Sequence, residues 1–277
     1  MRQDFYEEYT RIEREHWWFI ARRKILLTIL RRFVPLPNTL CSVSVARHPL
    51  VLDIGIGSGV MLEQLGEFGE VIGCDRERAA LSFSFPNAAG RIIQGEAEHL
   101  PFRSETLDLI TLFDLLEHTT EDQTVLCDVA RVLRPGGFLC VTVPVHQWLW
   151  GNQDIISRHV RRYRLGELEC KINRAGLRIL YRTYFNTFLF PVVVFVRLCK
   201  RCGEMFGGDS WKLDPDRVRS DFSMTKPGRL NDFLAWVFSQ EARWLRFSRF
   251  PVGVSLLCLV QKPNRDSSST PVLIQHD

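Results

Sequence analysis

One stretch constrains this chain more than any other: VLDIGIGSG at residues 51–59, an apolar run of strand length that passes directly into alternating glycines. Asp53 stands near the end of the run, and Gly55, Gly57 and Gly59 follow it. Glycine tolerates positive φ and lets backbone approach a ligand closely. Met61, Leu62 and Leu65 then recur at helical spacing. The N–H groups that open such a helix face the loop, an arrangement that suits a carboxylate or phosphate. The spacing is G-x-G-x-G rather than the dinucleotide G-x-G-x-x-G, which argues against a nicotinamide oxidoreductase. A second strand-like run, VIGC at 71–74, leads into Asp75, twenty residues after Gly55. A carboxylate in that position can accept hydrogen bonds from two ribose hydroxyls.

The rest of the chain supplies the frame for this loop. Runs of strand length at 50–54, 71–74, 91–93, 107–112 and 138–143 alternate with helical segments. Such alternation predicts βαβ units and a parallel sheet, with the ligand crevice at the carboxyl ends of the strands. Ahead of it, residues 5–34 read as helical, and prolines 35 and 37 open a linker that runs to residue 48. Beyond Pro144 the alternation stops. A segment rich in Trp, His and Arg covers 145–163, a helix 165–175 and a strand 177–184. Residues 185–250 read as a helical insertion with a polar loop around 207–229, and 253–261 is a last strand. The serine-rich tail from 263 to 277 is expected to be disordered. The organisation is therefore a cap and linker (1–48), a domain (49–262) carrying insertions at 145–163 and 185–250, and a tail (263–277).

Composition sets outer limits. A 277-residue chain with 45% apolar and 25% charged residues can bury a sizeable core. A net charge of +4 favours no nucleic-acid partner. The start, MRQDFYEEYT, has no apolar signal core, so the eight cysteines are expected to be reduced thiols in the cytoplasm. Cys199 and Cys202 form a lone C-x-x-C without the second pair or nearby histidine of a zinc set, so no metal is expected. The uncharged stretch 184–196 is shorter than the roughly 20 residues that span a bilayer.

Taken in order, these motifs resemble the class I S-adenosylmethionine (SAM)-dependent methyltransferases, in particular the group with the type 11/23-like domain. VLDIGIGSG resembles the family's first motif and VIGCD (71–75) its second-strand acid. GEAEHLPF (95–102), DLITLFDLLEH (108–118) and LRPGGFLCVTVP (133–144) resemble the segments that follow. The resemblance covers roughly residues 49–144. It implies an α/β, Rossmann-like, seven-stranded mixed sheet with helices on both faces, one strand antiparallel, extended here by an N-terminal helical cap and a helical insertion before the last strand. It also implies roles. Asp53, Gly55, Gly57 and Gly59 would hold the methionine part of SAM. Asp75 would hold the ribose, with Arg76 beside the adenine. Glu96, standing where the family usually has Asp, would accept from the adenine amino group, and Ala97 would give a backbone contact. Phe113 and Asp114 would border the methionine and the sulfonium. EREHWWFIARR (13–23) and WLWGNQDIISRHVRRY (148–163) resemble flanking segments of one subgroup.

Methyl transfer requires positioning first, and a general base only when the acceptor keeps a proton. His118, His159 and Tyr163 are the candidates for the catalytic side. Arg158, Arg161 and Arg162 around His159 could bind an anionic acceptor, since guanidinium forks match carboxylate and phosphate. His118 and the arginine run can equally be a loop-orienting histidine and a solvated face paired with acids. Trp18 and Arg22, one helical turn apart, are placed with the cofactor, with Arg22 reaching for its carboxylate. The apolar runs 187–201 and 233–247 carry basic rims, a pattern of membrane-interface segments as well as of a helical cap. The expected acceptor is a small or lipid-linked molecule, met in the cytoplasm or at a membrane surface through 185–250. A catalytically silent binding module is the alternative, although every cofactor position above has a suitable residue. Base-flipping chemistry on nucleic acid is disfavoured, because Phe113, Asp114, Leu115 and Leu116 stand where an Asn-Pro-Pro-Tyr-type motif would follow the fourth strand.

Overall fold

The computed structural model describes residues 11–37, 48–84, 91–206 and 228–265. The polar loop expected around 207–229, most of the linker and nearly all of the tail fall outside the described residues. Seven strands form one sheet: β1 (Leu50–Ile54), β2 (Glu70–Asp75), β3 (Ile92–Gln94), β4 (Leu107–Phe113), β5 (Leu133–Pro144), β6 (Arg178–Phe185) and β7 (Ser255–Gln261). Their order is β3-β2-β1-β4-β5-β7-β6. β1 pairs in parallel with β2 and β4, and β7 runs antiparallel between β5 and β6. The order reverses at β1, between β2 and β4, and ligands bind at such a switch point beyond the strand ends. The glycine loop leaves β1 there. The sheet is the one the resemblance implied. β5 begins five residues before the expected run, because the turn at Gly136 lies inside the pairing with the neighbouring strands.

The helices are α1 (Trp17–Phe33), α2 (Val60–Leu65), α3 (Arg78–Ser84), α4 (Asp122–Val132), α5 (Asn152–Ile156), α6 (Leu165–Arg174), α7 (Phe190–Phe206) and α8 (Arg229–Trp244). Strands β1, β4, β5 and β7 are buried on both faces, so each needs apolar cover on two sides. On one face Val125, Leu126 and Val129 of α4 and Leu168 and Ile172 of α6 pack against Leu52, Ile110 and Val141. On the other, Ile25, Leu26 and Ile29 of α1 and Phe238 and Ala242 of α8 pack against Val51, Leu109, Cys140 and Leu257. α1 therefore covers the sheet itself. It starts where the His16 ring accepts a hydrogen bond from the Trp18 N–H, and it ends on Arg31 and Arg32, whose charges suit a helix carboxyl terminus. Asn231 of α8 locks its entry, accepting from Trp17 N at 2.8 Å and donating to the Glu15 carbonyl at 2.9 Å. Cys199, half of the C-x-x-C, is exposed.

Candidate active site

The cofactor half of the site is built from strand ends. Gly55 takes φ +78°, and a Cβ there would lie 2.7 Å from Leu115 Cδ1, so both conformation and space call for glycine. Gly57 and Gly59 also have positive φ, and Gly59 caps α2. Asp75 holds the loop from β2: one carboxylate oxygen accepts from Gly57 N at 3.3 Å, the other from Glu77 N at 2.9 Å. Asp53 is buried at the end of β1 and accepts from the Thr111 hydroxyl at 2.5 Å. Burial pushes its pKa up to about 7, against the pull of that hydrogen bond and of Arg22. Burial likewise raises Asp75. Both acids therefore hold negative charge reluctantly until a cationic or hydrogen-bonding ligand arrives. Glu96 and Arg76 are exposed at the rim, and Ala97 packs against the core beneath them. The glycine loop and both strand-end acids thus lie at one end of the sheet.

Arg22 departs from its expected role. Its guanidinium lies 2.7 Å from the Asp114 carboxylate and donates to the Thr142 hydroxyl at 3.3 Å, and Thr142 in turn donates to Asp114 at 3.0 Å. The Trp18 and Phe113 rings sandwich the guanidinium at 5.1 and 5.5 Å. The group is nearly buried and engaged by a carboxylate of the protein. It anchors α1 to the carboxyl end of β4 instead of reaching out for a ligand carboxylate. Asp114, with φ +55°, is held by this pair at the site edge. A second link is Ser58, whose hydroxyl donates to the Glu13 carboxylate. Sequence reasoning assigned Glu13 no role, although it opens the flanking motif.

The sequence-predicted histidines, Tyr163 and the arginine run lie past β4. Asp114 is followed by a tight turn, Leu116–His118, and the segment 157–163 folds back over it: Val160 N donates to Glu117 O at 2.8 Å. The His118 and His159 rings meet edge to face at 4.7 Å. Desolvation and the neighbouring His159 push the His118 pKa down to about 4, so its imidazole is neutral near pH 7. His159 Nδ1 is 2.9 Å from the buried Asp154, which Arg162 also clamps at 2.8 Å. Burial alone would raise Asp154; the hydrogen bonds from His159 and Arg162 outweigh it and keep its pKa below the usual value.

Tyr163 does not stand with the reacting groups. It is fully buried, and its hydroxyl faces Asp122 at 2.6 Å and the Leu116 carbonyl at 3.2 Å. Burial and the Asp122 carboxylate raise its pKa, which unsuits it for proton transfer at neutral pH. Arg161 pairs with Asp122 at 3.1 Å and Arg162 with Asp154, so these two arginines bind acids of the protein rather than an anionic acceptor. Arg158 is exposed. Sequence reasoning missed Glu117, fully buried beside the two histidines, although it stands in the quoted segment DLITLFDLLEH.

Comparison with known proteins supports the cofactor half. Residues 52–141 match a family described as a methyltransferase domain. A ubiquinone biosynthesis O-methyltransferase of Aliivibrio fischeri is 32% identical over 94 residues, 31% of this chain and 40% of that protein. A ubiquinone/menaquinone biosynthesis C-methyltransferase of Cronobacter sakazakii is 33% identical over 145 residues, 47% of this chain and 57% of that one. The chain thus spans only about half the length of the curated relatives it matches. Among solved structures, phosphoethanolamine N-methyltransferase 2 of Haemonchus contortus in complex with SAM superposes with a TM-score of 0.53. The identity is 17%, over 86% of this chain and 52% of that one, which is a likeness of fold. The alternating glycines, the two strand-end acids and the reversed strand order converge with the family match: the chain carries a class I SAM-dependent methyltransferase domain.

Proposed function

We propose that this protein transfers the methyl group of SAM to a small-molecule or lipid-linked acceptor. The observation that carries the reading is the alignment of Asp53, the left-handed glycine loop and Asp75 at the carboxyl ends of β1 and β2, with the Asp114–Arg22 pair and the His118–His159 contact just beyond the end of β4. Bound SAM supplies an electrophilic methyl on a sulfonium, and the protein supplies orientation and electrostatics. Asp75 fixes the loop and offers its carboxylate to ribose hydroxyls. Glu96, Ala97 and Arg76 line the adenine side, Phe113 and Asp114 the methionine side. Orientation of this kind contributes on the order of 7–11 kcal/mol. His118 and His159 face the acceptor side, and Trp18 closes the wall over Arg22.

The acceptor class is read from the insertion. α8 has two faces: Phe238 and Ala242 point into the core, while Leu230, Phe233, Trp236 and Trp244 are exposed. On α7, Val192, Phe195 and Leu198 are exposed as well. Arg229 and Arg243, near the two ends of α8, and Arg246 just past it are exposed too. No described helix is long and apolar enough to cross a membrane. Such a surface suits shallow contact with a bilayer, where a lipid-linked acceptor resides. The curated relatives named for ubiquinone and menaquinone biosynthesis favour a small-molecule acceptor.

Thermal unfolding with SAM, S-adenosylhomocysteine and NAD tests the donor. At 100 times its Kd a ligand stabilises by about 2.7 kcal/mol, here a rise of roughly 5–10 °C. The rise is expected with the two SAM-type ligands and not with Asp75→Ala. A rise with NAD alone, or no rise at saturation, overturns the reading. Co-sedimentation with anionic vesicles tests the membrane contact, and a Phe233→Ser/Trp236→Ser pair should abolish it. Protein that stays in the supernatant with every vesicle composition refutes that part.

A further inference from the structure

The geometry points to a divalent transition-metal site formed by Glu117, His118 and His159 on the acceptor side of the pocket. One ligand atom from each of the three lies within 4.8 Å of the other two. Sequence spacing hid the cluster, because two ligands follow β4 and the third follows α5. The observation that asks for a cation is Glu117. It is fully buried, and among the described residues neither carboxylate oxygen has a hydrogen-bond partner. Buried carboxylates are ordinarily paired, hydrogen-bonded or bound to metal. The charges that face it do not neutralise it. Asp114 and Asp154 are themselves acidic, and Arg22 is taken up by Asp114.

The histidines are oriented for the same purpose. His159 turns Nδ1 to the Asp154 carboxylate at 2.9 Å, which leaves Nε2, 4.0 Å from Glu117 Oε1, as the lone-pair nitrogen facing inward. A carboxylate behind a metal-binding imidazole sets its tautomer and raises its basicity. Asp154 is itself fixed by Arg162 and by Gly151 N at 2.8 Å, so the support is rigid. His118 sits on the exposed side, with a ring nitrogen within 4.8 Å of the ligand atoms of the other two residues. The backbone between the ligands is fastened by the Val160 to Glu117 hydrogen bond and by Tyr163 and Arg161 on Asp122.

Two imidazoles and one carboxylate suit zinc, cobalt, manganese or ferrous iron, and leave coordination positions open; magnesium prefers an all-oxygen set. Under the methyl-transfer reading, on which only this role rests, an open position beside Asp114 would hold an oxygen of the acceptor and orient it. His118 and His159 would then be ligands and not the proton acceptors that the sequence suggested.

The test is a titration of chelator-treated full-length protein with Co2+ and Mg2+, read by calorimetry and by the visible spectrum of bound Co2+. One equivalent of Co2+ is expected, bound at least about tenfold more tightly than Mg2+. Glu117→Gln, His118→Ala and His159→Ala should each weaken Co2+ by about tenfold or more, and Asp154→Asn by about 10–100-fold. Affinity for S-adenosylhomocysteine should stay within about twofold in His118→Ala, whose exposed position makes it the variant least prone to unfold. The inference is overturned if the wild type takes up no Co2+ saturably, or if binding survives in His118→Ala and Glu117→Gln. Survival would place the ion elsewhere, for instance on surface thiols. Because no methyl donor is present, Co2+ binding without S-adenosylhomocysteine binding sinks the donor reading alone, and the converse sinks the metal site alone.

Discussion

Asp53→Asn isolates the electrostatics of the cofactor pocket in a measurement of stability. Asp53 is buried, and burial lifts its pKa from the ordinary 3.8 to about 7. In the unfolded chain the carboxyl loses its proton near pH 4. Between about pH 4 and 7 the unfolded state has therefore released a proton that the folded state still holds. The contribution of this group is complete below about pH 4 and is lost as the pH rises through about 7. A gap of about three units at 1.36 kcal/mol each sets a ceiling of about 4 kcal/mol, and relaxation of the pocket lowers it to about 2–4 kcal/mol. Asn stays neutral and still accepts from the Thr111 hydroxyl. Urea unfolding of both proteins, followed by circular dichroism from about pH 4.5 to about pH 8, gives the difference directly. The advantage of Asp53→Asn over wild type should grow by about 2–4 kcal/mol across that range. Glu241, whose pKa burial also raises to about 7, titrates in both proteins and cancels. A difference flat to within about 0.5 kcal/mol would mean that Asp53 is ionised throughout. That result would refute the idea that the pocket withholds a negative charge until a cationic donor is bound.

Three further substitutions test separate parts of the site. Tyr163→Phe removes a hydroxyl bonded to the buried Asp122, which keeps Arg161 and Lys171. It should cost about 1.5–3 kcal/mol in denaturant unfolding and leave S-adenosylhomocysteine affinity unchanged, whereas full stability with lost turnover would return Tyr163 to the catalytic set. Arg22→Met strands Asp114 and should destabilise by about 3 kcal/mol, with Asp114→Asn in the same chain restoring part of it; additive losses would deny the pair. Gly55→Ala forces a left-handed alanine against Leu115. It should cost about 1–2 kcal/mol and weaken S-adenosylhomocysteine binding in calorimetry, and unaltered binding would show that the loop can shift without consequence.

The cofactor half was legible because its requirements are local. A left-handed turn calls for glycine at fixed positions, and an acid at a strand end announces itself within a few residues. Gly55, Gly57, Gly59, Asp53 and Asp75 lie where those patterns placed them, at the strand-order reversal. The segment past β4 was read less well because its partners are distant in sequence. Nothing near Tyr163 shows that its hydroxyl meets Asp122, so a buried strut looked like a reactive phenol. Arg161 and Arg162 looked like an anion site because Asp122 and Asp154, which neutralise them, come from other turns of the chain. Glu117 was visible as a letter, and its isolation was not.

The amino-terminal helix shows the same limit in another form. As a sequence it reads as a cap laid in front of a domain that begins near residue 49. In the fold, α1 shares with α8 the cover of one sheet face, and Ile25, Leu26 and Ile29 are buried against Val51, Leu109 and Leu257. Its Arg22, and Glu13 in the segment just before it, reach the pocket at two points, Arg22 on Asp114 and Glu13 on Ser58. The first joins it to the strand that leads into the histidines, the second to the loop expected to cradle the methionine part of the donor. A displacement of α1 would therefore open the core and alter both halves of the site together. That is the physical reason to treat residues 13–33 as part of the unit that carries the candidate site rather than as an attachment to it.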